Sequence, residues 1–103
     1  MNNIKFGYKP THPGEVLKDE IEYRKLSQSK LSKQMGISYK TLNDILNERR
    51  PVTVETAMMF EAALGVPAYS LINIQTKYNM QVVSSNKSFV ARLAEIRKAA
   101  AML

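Results

Sequence analysis

The chain has 103 residues, which predicts one domain, and it carries 15 Lys and Arg residues against 9 acidic ones. It contains no cysteine, which excludes disulfides, thiolate metal sites and cysteine nucleophiles. No apolar run approaches the ~18 residues of a membrane span and no signal-peptide core is visible, so we expect a cytoplasmic protein without a membrane partner. The net charge of +6 either indicates a polyanionic partner or serves solubility alone.

The N-terminal residues 1–10 have an alternating pattern. Ile4, Phe6 and Tyr8 occupy every second position, with asparagine, glycine and proline around them. Alternation of this kind fits either a short strand or an ordered arm, and ten residues do not separate the two.

A helix start follows at residues 11–15, with the sequence THPGE. Thr11 or His12 supplies a capping side chain, the proline tolerates the first turn, and Glu15 lies near the positive end of the helix dipole. This helix is predicted to cover residues 12–25. Its acidic residues are surrounded by lysine and arginine, so we interpret them as a solvated face and not as a metal or acid–base site. They are Glu15, Asp19, Glu20 and Glu22.

The segment 27–47, SQSKLSKQMGISYKTLNDILN, indicates two short helices joined by a tight turn. Ser27 and Ser38 are capping residues, and Gly36 stands at the turn, where glycine accepts a positive φ without steric cost. On a 3.6-residue period the second helix has one apolar face, formed by Leu42, Ile45 and Leu46. The pattern predicts a helix-turn-helix whose second helix enters the major groove of DNA.

The candidate DNA-binding residues are polar or positively charged residues in the segment 27–47 and directly after it. Lysine bonds guanine acceptors, asparagine reads adenine, and tyrosine contacts a thymine methyl or a phosphate. Helix starts and flanking cations hold phosphates. The candidates are Gln28, Lys30, Ser38, Tyr39, Lys40, Thr41 (flanking), Asn43, Asn47, Arg49 and Arg50. Any one of them alone fits ordinary exposed surface equally well, and it is the joint pattern of caps, turn, spacing and charge that favours DNA.

Three further helices are predicted beyond a charged loop that ends in a proline. They cover residues 53–64, residues 67–78 and, after a polar break at residues 84–87, residues 86–101. In the first of these helices Phe60 is expected to lie partly at the side of the apolar face. The last helix carries an apolar stripe at spacings of 4, 3, 4 and 3, which either pairs with a second copy or folds back onto its own chain. Its members are Phe89, Leu93, Ile96, Ala100 and Leu103. The predicted class is therefore all-α, a bundle of five helices with an extra C-terminal helix.

Enzymatic function has no support in the sequence. It shows no glycine-rich phosphate loop, nucleophile elbow or pair of catalytic carboxylates. His12 is the only histidine, and a lone histidine without cysteine does not build a metal site. We therefore predict no catalytic residue, no metal and no cofactor.

Several motifs together resemble the HigA/VapI antitoxins, within the Xre/Cro-like helix-turn-helix repressors. They are HPGEVL at 12–17, LSQ at 26–28, MGIS at 35–38, ILN at 45–47 and RPVT at 50–53. The resemblance covers residues 11–80 and implies a DNA-binding domain there, leaving residues 1–10 as an arm and 81–103 as a helical extension. It further implies a homodimer that binds a palindromic operator in double-stranded DNA, represses its own operon and neutralises a RelE-like ribonuclease toxin.

Two positions depart from the family pattern. The family usually has glycine after ILN, where this chain has Glu48, and this negative side chain is not expected to contact DNA. The segment 69–72 lacks the aromatic pair that the family favours. Two other functions compete with the antitoxin: a stand-alone repressor without a toxin, and a protein-interaction module that no longer binds DNA.

Overall fold

The computed structural model describes residues 9–103, and in this range the chain forms six α-helices and no strand. The helices are α1 (Pro13–Tyr23), α2 (Gln28–Met35), α3 (Tyr39–Leu46), α4 (Val54–Leu64), α5 (Ala68–Ser84) and α6 (Lys87–Ala100). This confirms the all-α class, with five helices and an additional C-terminal one. The strand or arm considered for Ile4, Phe6 and Tyr8 lies outside the described residues. None of the six helices is long and apolar enough to cross a membrane.

The helix starts lie where the capping side chains predict them. His12 caps α1, because its Nδ1 accepts a hydrogen bond from the backbone N–H of Gly14 at 2.9 Å. Ser27 caps α2 and Ser38 caps α3 in the same way. Thr53 forms a reciprocal capping box with Thr56 at the start of α4. Each cap satisfies a backbone donor that has no partner inside the helix.

One predicted boundary is wrong: α5 continues to Ser84 and does not stop at residue 78. Residues 79–84 contain no glycine or proline, so nothing in the backbone stops the helix there. The next helix begins after Asn86, whose side chain accepts a hydrogen bond from the backbone N–H of Phe89 at 3.0 Å. Only residues 85 and 86, within the polar break, therefore lie between α5 and α6.

The hydrophobic core is built from residues of the first five helices and from Val52 in the loop before α4. Phe60, which we expected to be partly lateral, is fully buried, whereas Val54 and Met58 of the same helix are 60% exposed. Because α4 is apolar on nearly all sides, its sequence does not specify which face turns inward. The buried apolar residues are Leu17, Ile21, Leu31, Met35, Leu42, Ile45, Leu46, Val52, Ala57, Phe60, Leu64 and Leu71.

The described chain divides into two compact units, and the boundary falls within α5. Residues 11–76 form one unit, which contains the whole of this core. The other unit includes residues 77–103, and none of the residues of α6 in it is buried.

A close backbone approach fixes α1 against α3. A Cβ atom at Gly14 would lie 2.0 Å from the carbonyl oxygen of Ile45, a distance that no side chain tolerates. Only glycine therefore fits where the start of α1 meets α3.

The end of α3 is a reversing turn centred on Glu48, which has a φ of +65°. The backbone N–H of Glu48 donates to the carbonyl of Ile45 at 3.1 Å, and that of Arg49 donates to the carbonyl of Asp44 at 2.8 Å. This pair of hydrogen bonds is the Schellman motif, in which the left-handed residue is usually glycine. Glu48 thus occupies a conformation that disfavours any residue with a Cβ.

We expect Glu48→Gly to raise the free energy of unfolding by about 0.5–1 kcal/mol, because glycine relieves the left-handed strain while loosening the unfolded chain. Urea denaturation followed by circular dichroism measures this change. Glu48→Ala is the matched control, since it removes the same charge but keeps the Cβ, and it should give no gain. Equal stabilisation by both variants would show that charge, and not backbone strain, is responsible.

Candidate nucleic-acid interface

Helix α3 has two chemically different faces. Leu42, Ile45 and Leu46 are buried in the core, as the 3.6-residue period predicts. On the other side Tyr39 is 52% exposed and the side chain of Lys40 is 81% exposed. Thr41, Asn43 and Asn47 are half-buried along the same side. The helix therefore presents a polar strip while its apolar strip is anchored.

The Asn43 amide is held from two sides at the middle of this strip. Its Nδ2 donates to Oε1 of Gln28 on α2 at 3.2 Å, and its Oδ1 accepts from a guanidinium N–H of Arg49 at 3.0 Å. An amide has two N–H donors and two acceptor lone pairs, so one of each remains after these bonds. A donor next to an acceptor is the pair with which asparagine reads adenine.

A buried carboxylate, which the sequence analysis missed, lies beneath the cations. Asp44 is 8% exposed, and its Oδ2 accepts from Nζ of Lys40 at 3.0 Å. Its Oδ1 accepts from Nε of Arg49 at 3.1 Å, and a guanidinium nitrogen of Arg50 lies 3.9 Å from Oδ2. The i,i+4 spacing of Lys40 and Asp44 was the one sequence signal for this contact.

The pKa of Asp44 lies below its ordinary value. The hydrogen bond from Lys40 contributes most, the hydrogen bond from Arg49 and both positive charges act in the same direction, and desolvation opposes them. An ordinary aspartate has a pKa of about 3.9, so Asp44 is ionised at neutral pH. Three of the predicted DNA-binding residues therefore surround one negative charge.

The two ends of α3 are also tied down. Ser38 donates from Oγ to Oγ1 of Thr41 at 2.9 Å, next to the cap that it forms. At the other end Nδ2 of Asn47 donates to the carbonyl of Asn43 at 2.9 Å, and Oδ1 of Asn47 accepts from Nζ of Lys18 at 3.4 Å. Lys18, on α1, is a second residue at this surface that the sequence analysis did not single out.

Lys30 is exposed near the start of α2. It lines a cavity of about 370 Å³ together with Arg24, Lys25 and residues near the end of α4 such as Leu64. The contacts described above connect Gln28, Lys40, Asn43, Asn47, Arg49 and Arg50 around α3. Lys30 therefore stands apart from the connected group, although it is exposed and positively charged.

Comparison with known proteins places this geometry in a family. Residues 17–71 match the helix-turn-helix family model. Virulence-associated protein I of Dichelobacter nodosus is 32% identical over 80 residues, which are 77% of this chain and 74% of that protein.

Two solved structures have the same fold. An addiction module antidote protein of the HigA family from Coxiella burnetii is 30% identical with a TM-score of 0.69, over 74% of this chain and 84% of that one. The antitoxin HigA of Pseudomonas aeruginosa, solved with the higBA promoter, is 27% identical with a TM-score of 0.70, over 85% and 91% of the two chains. This chain therefore belongs to the helix-turn-helix family, among the Xre/Cro-like antitoxins of the HigA/VapI type, which are DNA-binding regulators and not enzymes.

Proposed function

We propose that this protein represses its own operon by binding a palindromic operator as a homodimer, and that it neutralises a RelE-like ribonuclease toxin. The observation that carries the DNA part is the Asn43 amide, which Gln28 and Arg49 hold at the exposed side of an anchored helix. The P. aeruginosa relative of the same fold was solved with promoter DNA. A reading residue held in place on a rigid element is what base recognition requires.

Within this proposal the polar residues divide into two roles. Tyr39, Lys40 and Asn43 contact base edges, with Thr41 beside them, because they lie along the outward strip of α3. The remaining candidates hold phosphates on either side and set the register of the protein on the duplex. They are Gln28, Lys30, Ser38, Asn47, Arg49 and Arg50.

We expect Asn43→Ala to weaken operator binding by about 1–3 kcal/mol and to relax sequence preference, because a base contact is lost. Titration of upstream palindromic DNA and of a scrambled duplex, followed by fluorescence anisotropy at several salt concentrations, measures both effects. Gln28 and Arg49 lose a partner in this variant, so thermal melting must confirm that it is folded.

Lys30→Ala is the control for a phosphate contact outside the reading surface. It should weaken binding to both duplexes equally and reduce the salt slope by about 1. An Asn43→Ala protein that keeps the wild-type operator preference would show that α3 does not read bases through this residue.

The homodimer proposal rests on the two-fold operator and on the surface of α6. One recognition helix covers only a few base pairs, so specific binding needs two helices about one DNA turn apart, or a multiple of it. Phe89 and Ile96 of the apolar stripe on α6 are 40% and 54% exposed. A stripe of this kind on a helix without buried residues fits a seam between two copies.

We expect Phe89→Ser combined with Ile96→Ser to shift the full-length protein towards monomer in analytical ultracentrifugation. The loss of apolar contact from the seam is the reason. The control replaces Glu95 and Lys98, an exposed ion pair of the same helix, by serine and should leave the dimer intact. Truncation after Asn86 should have the same effect as the first variant, and an unchanged dimer in both would assign the stripe to another contact.

The toxin proposal comes from the family, and α1 offers a local surface for it. This protein is basic, so attraction to a basic ribonuclease has to come from local complementarity and apolar contact. Asp19 and Glu22 are exposed on α1, and Glu20 forms an ion pair with Arg24. Ile4, Phe6 and Tyr8 are apolar candidates for the same contact, outside the described residues. The alternative is that this acidic face is only solvated.

We expect wild type to co-purify with the product of the neighbouring gene and to rescue growth when both are expressed. Asp19→Lys with Glu22→Lys should lose co-purification, because two attractive charges become repulsive. Glu61→Lys with Glu95→Lys, which changes the net charge equally at other exposed positions, should keep it. Failure of wild type to rescue growth, with operator binding intact, would favour the stand-alone repressor. Rescue by both variants would place the toxin contact elsewhere.

A further inference from the structure

A negative charge lies at the centre of the surface that we propose for DNA. Asp44 is on α3 itself, and phosphates repel its carboxylate. Its charge also offsets part of the attraction that Lys40, Arg49 and Arg50 would otherwise offer. Attraction to the DNA backbone would be stronger without this residue, so its contribution must be of another kind.

The contacts of Asp44 reach the reading residue through Arg49. Nε of Arg49 donates to Oδ1 of Asp44, while a second guanidinium nitrogen donates to Oδ1 of Asn43. Asn43 in turn donates to Gln28 on the neighbouring helix. The planar guanidinium presents its N–H groups in a fixed fork, so a carboxylate that holds Nε also fixes the direction of the other nitrogens.

The cations that Asp44 holds have long side chains at an exposed surface. The side chain of Lys40 is 81% exposed and that of Arg49 is 58% exposed, whereas that of Asp44 is 12% exposed. Long exposed side chains populate many rotamers, and ordering them when DNA binds opposes binding. A buried carboxylate between them removes part of that disorder in advance.

We propose that Asp44 is a positioning residue for sequence specificity: it orients Arg49 against Asn43, and Lys40 along α3, before DNA arrives. The inference rests on the proposed function, since it requires that α3 reads an operator. The positioning role predicts opposite effects on binding to operator DNA and on binding to unrelated DNA. Loss of the carboxylate should weaken operator binding and strengthen binding to unrelated DNA.

The test is Asp44→Asn in the full-length protein, which keeps the shape of the side chain and removes its charge. Operator affinity should fall about three- to tenfold because part of the base contact is lost. Affinity for a scrambled duplex should rise about two- to fivefold at low salt because the net positive charge grows. Glu61→Gln, which removes one negative charge from an exposed position of α4, should leave the ratio of the two affinities unchanged. Asp44→Glu should recover part of the wild-type ratio.

The outcomes separate this inference from the proposed function. A wild-type protein without operator preference overturns both. A wild-type preference that Asp44→Asn leaves unchanged overturns the positioning role alone, and so does an equal loss of affinity for both duplexes, which a merely structural residue would cause. In the DNA-free protein, the Nε–H resonance of Arg49 should exchange slowly with water and lose this protection in Asp44→Asn. Unaltered protection would also overturn the positioning role.

Discussion

An eight-residue helix is too short to be stable by itself in water, so the candidate interface depends on the way α3 is fixed to the core. Leu42 and Ile45 are completely buried. The start of α1 approaches the carbonyl of Ile45 so closely that only Gly14 fits there. The inward face is therefore held by side-chain packing and by backbone contact together. Because this face is fixed, the direction of the outward face is fixed too, and the polar residues on it do not need to find their orientation.

The sequence was sufficient to predict the ends of those helices that begin at a capping residue or end at a glycine. Ser27, Ser38 and Thr53 accept backbone hydrogen bonds where caps were expected, and Gly36 adopts the left-handed turn with a φ of +73°. The sequence did not predict the structure where no capping residue, glycine or proline marks it. The end of α5 lacks a helix-breaking residue until the polar break, and the apolar surface of α4 left the orientation of Phe60 open. Tertiary packing decides the orientation of Phe60, and a periodic pattern does not contain that information. Helix α5 continues to Ser84 because residues 79–84 contain no glycine or proline.

At the candidate site too, the sequence predicts some side-chain positions and not others. The polar strip of α3 follows from helical spacing, and the structure gives it as expected. The contact between Arg49 and Asp44 does not follow from spacing, because it depends on the reversal of the chain at Glu48. That reversal brings a residue beyond the helix back over its last turn.

The stability of α6 needs a different explanation from that of the core helices, because α6 has no buried residue. A helix of 14 residues without a buried side chain is marginally stable in water, and most helices gain their stability from packing of an apolar face. In the proposed homodimer a second copy supplies that packing. Such a dimer would join two recognition helices, and once the first had bound its half-site the second would bind at a high effective concentration. Apolar residues far from α3 in sequence would therefore control operator affinity without contacting DNA. On this view the half-exposed Phe89 and Ile96 contribute to recognition as directly as the polar strip does, since each α3 alone covers too few base pairs to select a site.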